Sequence, residues 1–318
     1  VTRLASRCGK LRPQPDRPSF DENNPVYLEQ FAQEPRSMYE RPALSSTDVM
    51  VDSPSPRGRL LRYSADWWPV SVVVASFLLH VAIYLWATPL LALLALLPLF
   101  AISTVVAAFN HHHQHVNAFH SRILNRVYDL LLAVQTGVGP YTWVLHHNLG
   151  HHQHYLHQPP SATPDESHWT RQDGTTMGRL EYTLHTFLHH QVDVYRIGRQ
   201  HPAIFRRYLL MKAPCYAFVV AGFWLNPVNF LLVFFIPSIL ALMHTCWATY
   251  EHHAGHPATE HVAASTNREH RLFNLLTCNL GLHTAHHMKP GLHWSELPKM
   301  HASIRSQIPP NQLLPDFW

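Results

Sequence analysis

Eight histidines at helical spacing dominate the chemistry open to this chain. His111 and His115 in "HHHQH" stand four residues apart. His147, His151 and His152 in "HHNLGHHQH" read H-x3-HH, and His283, His286 and His287 in "HTAHH" read H-x2-HH. Residues three and four apart share one face of a helix, so each cluster can aim two or three imidazoles at a common point. Eight imidazoles are too many for one ion and suit two adjacent metals held by neutral rings. In the first cluster the pair is 111/115 or 112/115; 111/115 is preferred because it gives HxxxH. Imidazole suits zinc, copper, iron and nickel alike, whereas hydrolytic zinc sites need only three protein ligands and an open position. A larger set beside an apolar phase points to oxygen chemistry on an apolar substrate. No catalytic residue beyond the metal ligands is expected.

The elements that must bring these clusters together are legible as charge-free runs. Trp67 to Phe109 is 43 residues without Asp, Glu, Lys or Arg, and Ala213 to Tyr250 is another 38. One bilayer crossing needs about 20 apolar residues, so each run makes two crossings. The first turns near Ala87-Thr88-Pro89 and the second at Asn226-Pro227-Val228-Asn229. Crossings are expected at about 67–87, 89–109, 208–225 and 230–250, with Lys212 reaching to the surface along its own stem. Of the 24 Lys and Arg residues, all but Lys212 fall in 1–66, 110–207 or 251–318, and the two turns carry none. Positive residues mark the cytoplasmic side. Both hairpins therefore open to the cytoplasm, where both termini and all three histidine clusters are expected. Residues 127–145 are moderately apolar but contain Asp129, Gln135 and Pro140; they are expected to lie at the interface, because a crossing there would separate the second cluster from the first.

Composition sets the remaining bounds. Only 14% of residues are charged, against about a quarter in soluble domains. A scattered net charge of +4 gives no nucleic-acid footprint. Cys8, Cys215, Cys246 and Cys278 form no CxxC pair and suggest neither a disulfide framework nor a thiolate site. Residues 1–60, with "LRPQPDRPSFDENNP" and "VDSPSPRGR", are too poor in apolar surface to offset ordering entropy and are expected to form a disordered cytoplasmic tail without a signal peptide. The expected fold class is thus an all-α polytopic membrane protein: four transmembrane helices in two hairpins, with a cytoplasmic histidine-rich helical cap, over residues 61–318.

The order and spacing of the clusters resemble the three histidine boxes of the integral-membrane fatty acid desaturase/hydroxylase superfamily. "HNLGHH" (147–152) is similar to the second box of bacterial acyl desaturases, and "HTAHH" followed by "MKPGLHWSELPKMH" to the third box and its continuation. "TYEHH" (249–253) resembles the stretch where such desaturases place a further ligand, which by position is His253. The likeness covers roughly residues 65–305. It implies two Fe ions (Fe2+/Fe3+), O2 as co-substrate, a fatty acyl substrate in a tunnel below the metals, and surrounding membrane lipid. It also implies a separate electron donor of ferredoxin, rubredoxin or cytochrome type with its reductase, since no haem motif or cysteine-ligated iron site is fused here. Desaturation is the favoured outcome. Hydroxylation, triple-bond formation, oxidative decarboxylation to a terminal alkene, and alkane or carotenoid oxygenation use the same kind of centre. His112, His113, His146, His154, His157 and His252 exceed the family pattern and are candidates to orient the ligands.

Blander readings compete. His253 could simply cap a helix end. His80 and His244 lie within the crossings, where a histidine-rich metal transporter would carry its ligands, yet helix–helix hydrogen bonding explains them equally well. His185, His189 and His190 read as the polar face of a cytoplasmic helix.

Overall fold

The computed structural model describes residues 60–160 and 168–317. The expected tail, 1–60, lies outside the described residues except for Leu60. A short turn at Ser64–Asp66 leads into α1 (Trp67–Trp86). Its partner α2 (Pro89–His115) starts where the Thr88 side chain accepts from the Leu91 amide (3.4 Å) and Pro89 takes the first helical position, where its missing N–H costs nothing. α3 (Arg122–Thr136) follows, capped by Ser121 and ended by Gly137. A wide π-helical turn spans Val144–His151. Next come α4 (Arg179–Gln200), α5 (Pro202–Leu225) and α6 (Pro227–His253). Asn226 caps α6 by accepting from the Asn229 amide, and Pro227 again takes the first position. α7 (Arg271–Thr277), α8 (His283–Met288) and α9 (Leu297–Ile304) complete a cap. There β1 (Asn267–Arg268) pairs in parallel with β2 (Leu313–Leu314).

Four of the described helices are long and apolar enough to cross a membrane: α1 with its leading turn, α2, α5 and α6. Their outward faces carry large apolar side chains, with Leu94 66%, Leu97 70% and Trp224 86% exposed. Such faces are satisfied by lipid and not by water. Two boundaries differ from expectation. α2 continues without a break through His115, so the first histidine cluster is the helix's own final turn. α5 starts at Pro202, six residues before the expected 208, because Arg206 and Arg207 both lie on its exposed face and need not end it. α3, at 15 residues, is shorter than the roughly 20 a crossing requires.

α2 packs chiefly against α6 and α3, and α4 packs along α6. Gly137 allows α3 to meet α6: its φ is +72°, and a Cβ there would stand 2.7 Å from the Ser238 carbonyl oxygen. At the turn end the two hairpins are clasped. The Asn229 amide donates to the Tyr84 carbonyl (3.0 Å) and the Ala87 carbonyl (2.9 Å), and the Tyr84 hydroxyl donates to the Gly222 carbonyl (2.9 Å). Tyr84, Leu99, Phe230 and Phe234 pack around this clasp. At the opposite end, Asp66 ties the start of α1 to the cap, accepting from Trp294 Nε1 (2.9 Å) with His293 Nε2 at 3.0 Å.

α4 is amphipathic in an unexpected sense. Leu180, Leu184, Leu188 and Val192 are exposed along one side, beside His185 and His189. His190, expected on a solvated polar face, is buried against His146.

Candidate metal centre

Nine histidines from four segments converge in two groups. His111, His115, His147, His152 and His286 form the first, and His151, His253, His283 and His287 the second; within each group the ligand atoms lie within 4.8 Å of one another. His111 and His115 come from the last turns of α2, and His253 from the last residue of α6. α8 divides its three, sending His286 to the first group and the i, i+4 pair His283 and His287 to the second.

The π-helical turn solves a geometric problem of the second cluster. Its amide bonds reach five residues back, as from His152 to the His147 carbonyl, so His147 and His152 lie about one turn apart. Their Nε2 atoms stand 3.1 Å apart in the first group, while the neighbouring His151 turns into the second. Two consecutive histidines thus join two different groups. Single π turns of this kind recur at functional sites.

The Nε2 atoms face one another. His111 and His147 are 2.7 Å apart, and His152 and His286 3.0 Å. His253 stands 3.0 to 3.1 Å from His151, His283 and His287. Nitrogens bound to one ion at about 2.1 Å and at right angles would be about 3.0 Å apart, so these edges fit ligand shells. Tautomers fit as well. His253 Nδ1 lies 2.9 Å from the Ala264 carbonyl, a hydrogen bond that places the proton on Nδ1 and leaves the Nε2 lone pair facing the group. Burial, reinforced by neighbouring imidazoles, holds His147, His151, His152, His283, His286 and His287 well below the ordinary histidine range. Neutral rings with converging lone pairs are the state metal binding requires.

The surplus histidines separate by direction. His112 Nε2 lies 3.1 Å from the Thr277 carbonyl, away from both groups. His113 accepts from the Ala118 amide through Nδ1 and approaches Asp129 through Nε2 (3.3 Å). His252 packs against His283 with ring centres 3.9 Å apart and planes tilted by 33° but belongs to neither group. His154 lies near His157 (5.9 Å), and His146 faces His190 (4.8 Å). His80 and His244 pack against Phe234 and Phe100 and also belong to neither group.

Asp129, which the sequence offered only as a polar blemish in an apolar stretch, holds the first cluster's scaffold. Fully buried, it accepts from Gln114 Nε2 (2.7 Å) and pairs with Arg126 (2.7 Å). The Gln114 carbonyl in turn accepts from Asn148 Nδ2 (3.0 Å), linking α2 to the π-helical turn. Asp129→Ala should lower stability by about 2–4 kcal/mol, since it strands a half-buried Arg and a buried amide together. It should also reduce metal retention about tenfold or more by loosening the turn. Thermal unfolding in detergent and metal analysis check both; an unchanged melting temperature would sink the argument.

Four membrane-length helices enclosing, at one end, a double cluster of buried imidazoles that could hold metal ions define a polytopic membrane protein. Residues 86–317 match the family described as fatty acid desaturase. That is most of the chain, and the chain belongs to the fatty acid desaturase family. No curated protein matches it. The family typically uses iron and acts on fatty acyl chains as an oxidoreductase; the imidazole donor set accommodates iron as it does zinc, copper and nickel.

Proposed function

We propose that this protein uses O2 to desaturate a fatty acyl chain at two irons held by His111, His115, His147, His152 and His286 in one shell and by His151, His253, His283 and His287 in the other. The observation that carries the reading is the pair of buried, neutral imidazole groups at the end of a bundle of membrane length. When bound, the irons supply the redox chemistry with O2. The balance is –CH2–CH2– plus O2, two electrons and two protons giving –CH=CH– and two waters, so a separate reductase-coupled donor must deliver the electrons. The chain's own residues do the rest. The close packing of α2, α6 and the cap keeps water from the two histidine groups, and the Ala264 carbonyl fixes the His253 ring. Because the three clusters meet, both hairpins open to one side; the Lys and Arg distribution supports the cytoplasm as that side.

The test is mass-spectrometric profiling of lipids and headspace hydrocarbons from cells expressing the chain, beside a His283→Ala/His287→Ala control. A new double bond absent from the control is the expected result. An alcohol or a shortened terminal alkene would replace desaturation by a sister reaction. No product together with no bound iron would overturn the reading.

A further inference from the structure

Beside the first histidine group lies a cavity with about 30 Å3 of room for the centre of a water-sized sphere. Three elements wall it: the π-helical turn and the residue before it with Trp143, His146 and His147, α4 with Thr186 and His190, and the Leu242–Thr249 stretch of α6. Its lining is polar in an unusual way. His146, His190 and Thr186 are 7%, 6% and 5% exposed. His146 Nε2, His190 Nε2, Thr186 Oγ1 and Trp143 Nε1 are all buried without a hydrogen-bond partner. Buried polar groups are normally paired, so four unpaired ones around one cavity mark it as built to receive something.

The donor inventory narrows what that is. An indole N–H can only donate, a hydroxyl can donate, and each neutral imidazole can carry its one N–H on the unpaired Nε2. Four donors match the roughly four acceptor sites of a carboxylate, whereas an ester or thioester carbonyl offers half as many. Charge points the same way. The two histidine groups contain no carboxylate, so their divalent ions would keep positive charge that no ligand offsets, and His147 forms part of both the first group and the cavity wall.

We propose that this cavity seats the carboxylate of a free fatty acid, placing the head end of the substrate, and not the middle of its chain, beside the metal centre. The proposal rests on the acyl-oxidation reading above and specifies its substrate: an unesterified acid whose carbons nearest the carboxylate are those presented for oxidation.

The test is equilibrium binding to the purified, iron-loaded protein in detergent, without reductant so that nothing turns over. The probes are dodecanoic acid and methyl dodecanoate. Wild type should bind the acid roughly tenfold more tightly than the ester, because charge-assisted hydrogen bonds are the strong ones. Thr186→Val, nearly isosteric, and His190→Phe, which fills the cavity, should each erase most of that preference while iron content stays unchanged. Equal binding of acid and ester by wild type, or a preference that survives both variants, would overturn the proposal and leave the cavity as a site for water alone. Selective acid binding by a protein that, when expressed in cells, forms no product and retains no iron would instead sink the desaturase reading and leave the carboxylate site standing.

Discussion

His253→Ala should leave the protein with about one iron per chain in place of two and reduce product formation by at least about a hundredfold. The magnitude follows from the hub position of this ring. Its Nε2 is within 3.1 Å of three other histidine Nε2 atoms, so it is the one member that approaches every other ligand of the second group. Removing it leaves His151, His283 and His287 around an opening that water can enter, and it strands the buried Ala264 carbonyl. Losses of about 10–100-fold accompany changes to residues that merely orient ligands, and a ligand itself should cost more. His252→Ala is the matched comparison: that ring packs against His283 but belongs to neither group, and it should retain both metals. Metal analysis alongside product assay decides the matter. Two irons and normal turnover in His253→Ala would reduce His253 to a helix-end cap.

The second large effect comes from a residue with no side chain. A Cβ on Gly281 would stand 2.4 Å from the Arg268 carbonyl oxygen and 2.8 Å from Asn274 Oδ1. The Arg268 amide meanwhile donates to the Gly281 carbonyl (2.7 Å), so two backbones are pressed together and no flexible side chain can give way. Gly281→Ala must push the segment preceding α8 off β1, and His283 follows two residues later. Ligand positions tolerate about 0.2 Å. The substitution should cost about 2–4 kcal/mol by overpacking and selectively empty the second group, although it touches no ligand. Wild-type metal content and an unchanged melting temperature would show that the cap can yield.

Much of this architecture is written openly in the chain. Two long charge-free runs, each broken at a proline-containing turn, locate two hairpins, because lipid tolerates no unpaired charge. The nine histidines that gather in the structure are recognisable by helical spacing and by their likeness to known boxes. What stays hidden is hidden for physical reasons. Nothing in "VLHHNLGHH" distinguishes a π turn from an α turn, since the wider turn is matched to tertiary partners that place His151 and His152 in different groups. The partition of α8 between those groups depends on where α8 docks. The helix that runs on from the 208–225 crossing back to Pro202 could not be bounded from its charges, because which way Arg206 and Arg207 face is settled only by packing. His190 looked solvated because its partner, His146, lies 44 residues away. The contact that makes Gly281 irreplaceable is tertiary and leaves no local trace.

The clasp between Asn229 and the Tyr84–Ala87 backbone has a mechanical consequence. Two hairpins riveted at one end and carrying the two histidine groups at the other form a pair of tongs. α2, with 27 residues, is about 40 Å long, so one degree of play at the rivet swings its histidine tip by about 0.7 Å. That exceeds the tolerance of a coordination shell severalfold. A single amide at the far end of α6 from His253 is therefore a lever on the spacing of the two histidine groups, and the stiffness of that joint sets how closely their nitrogens stay converged.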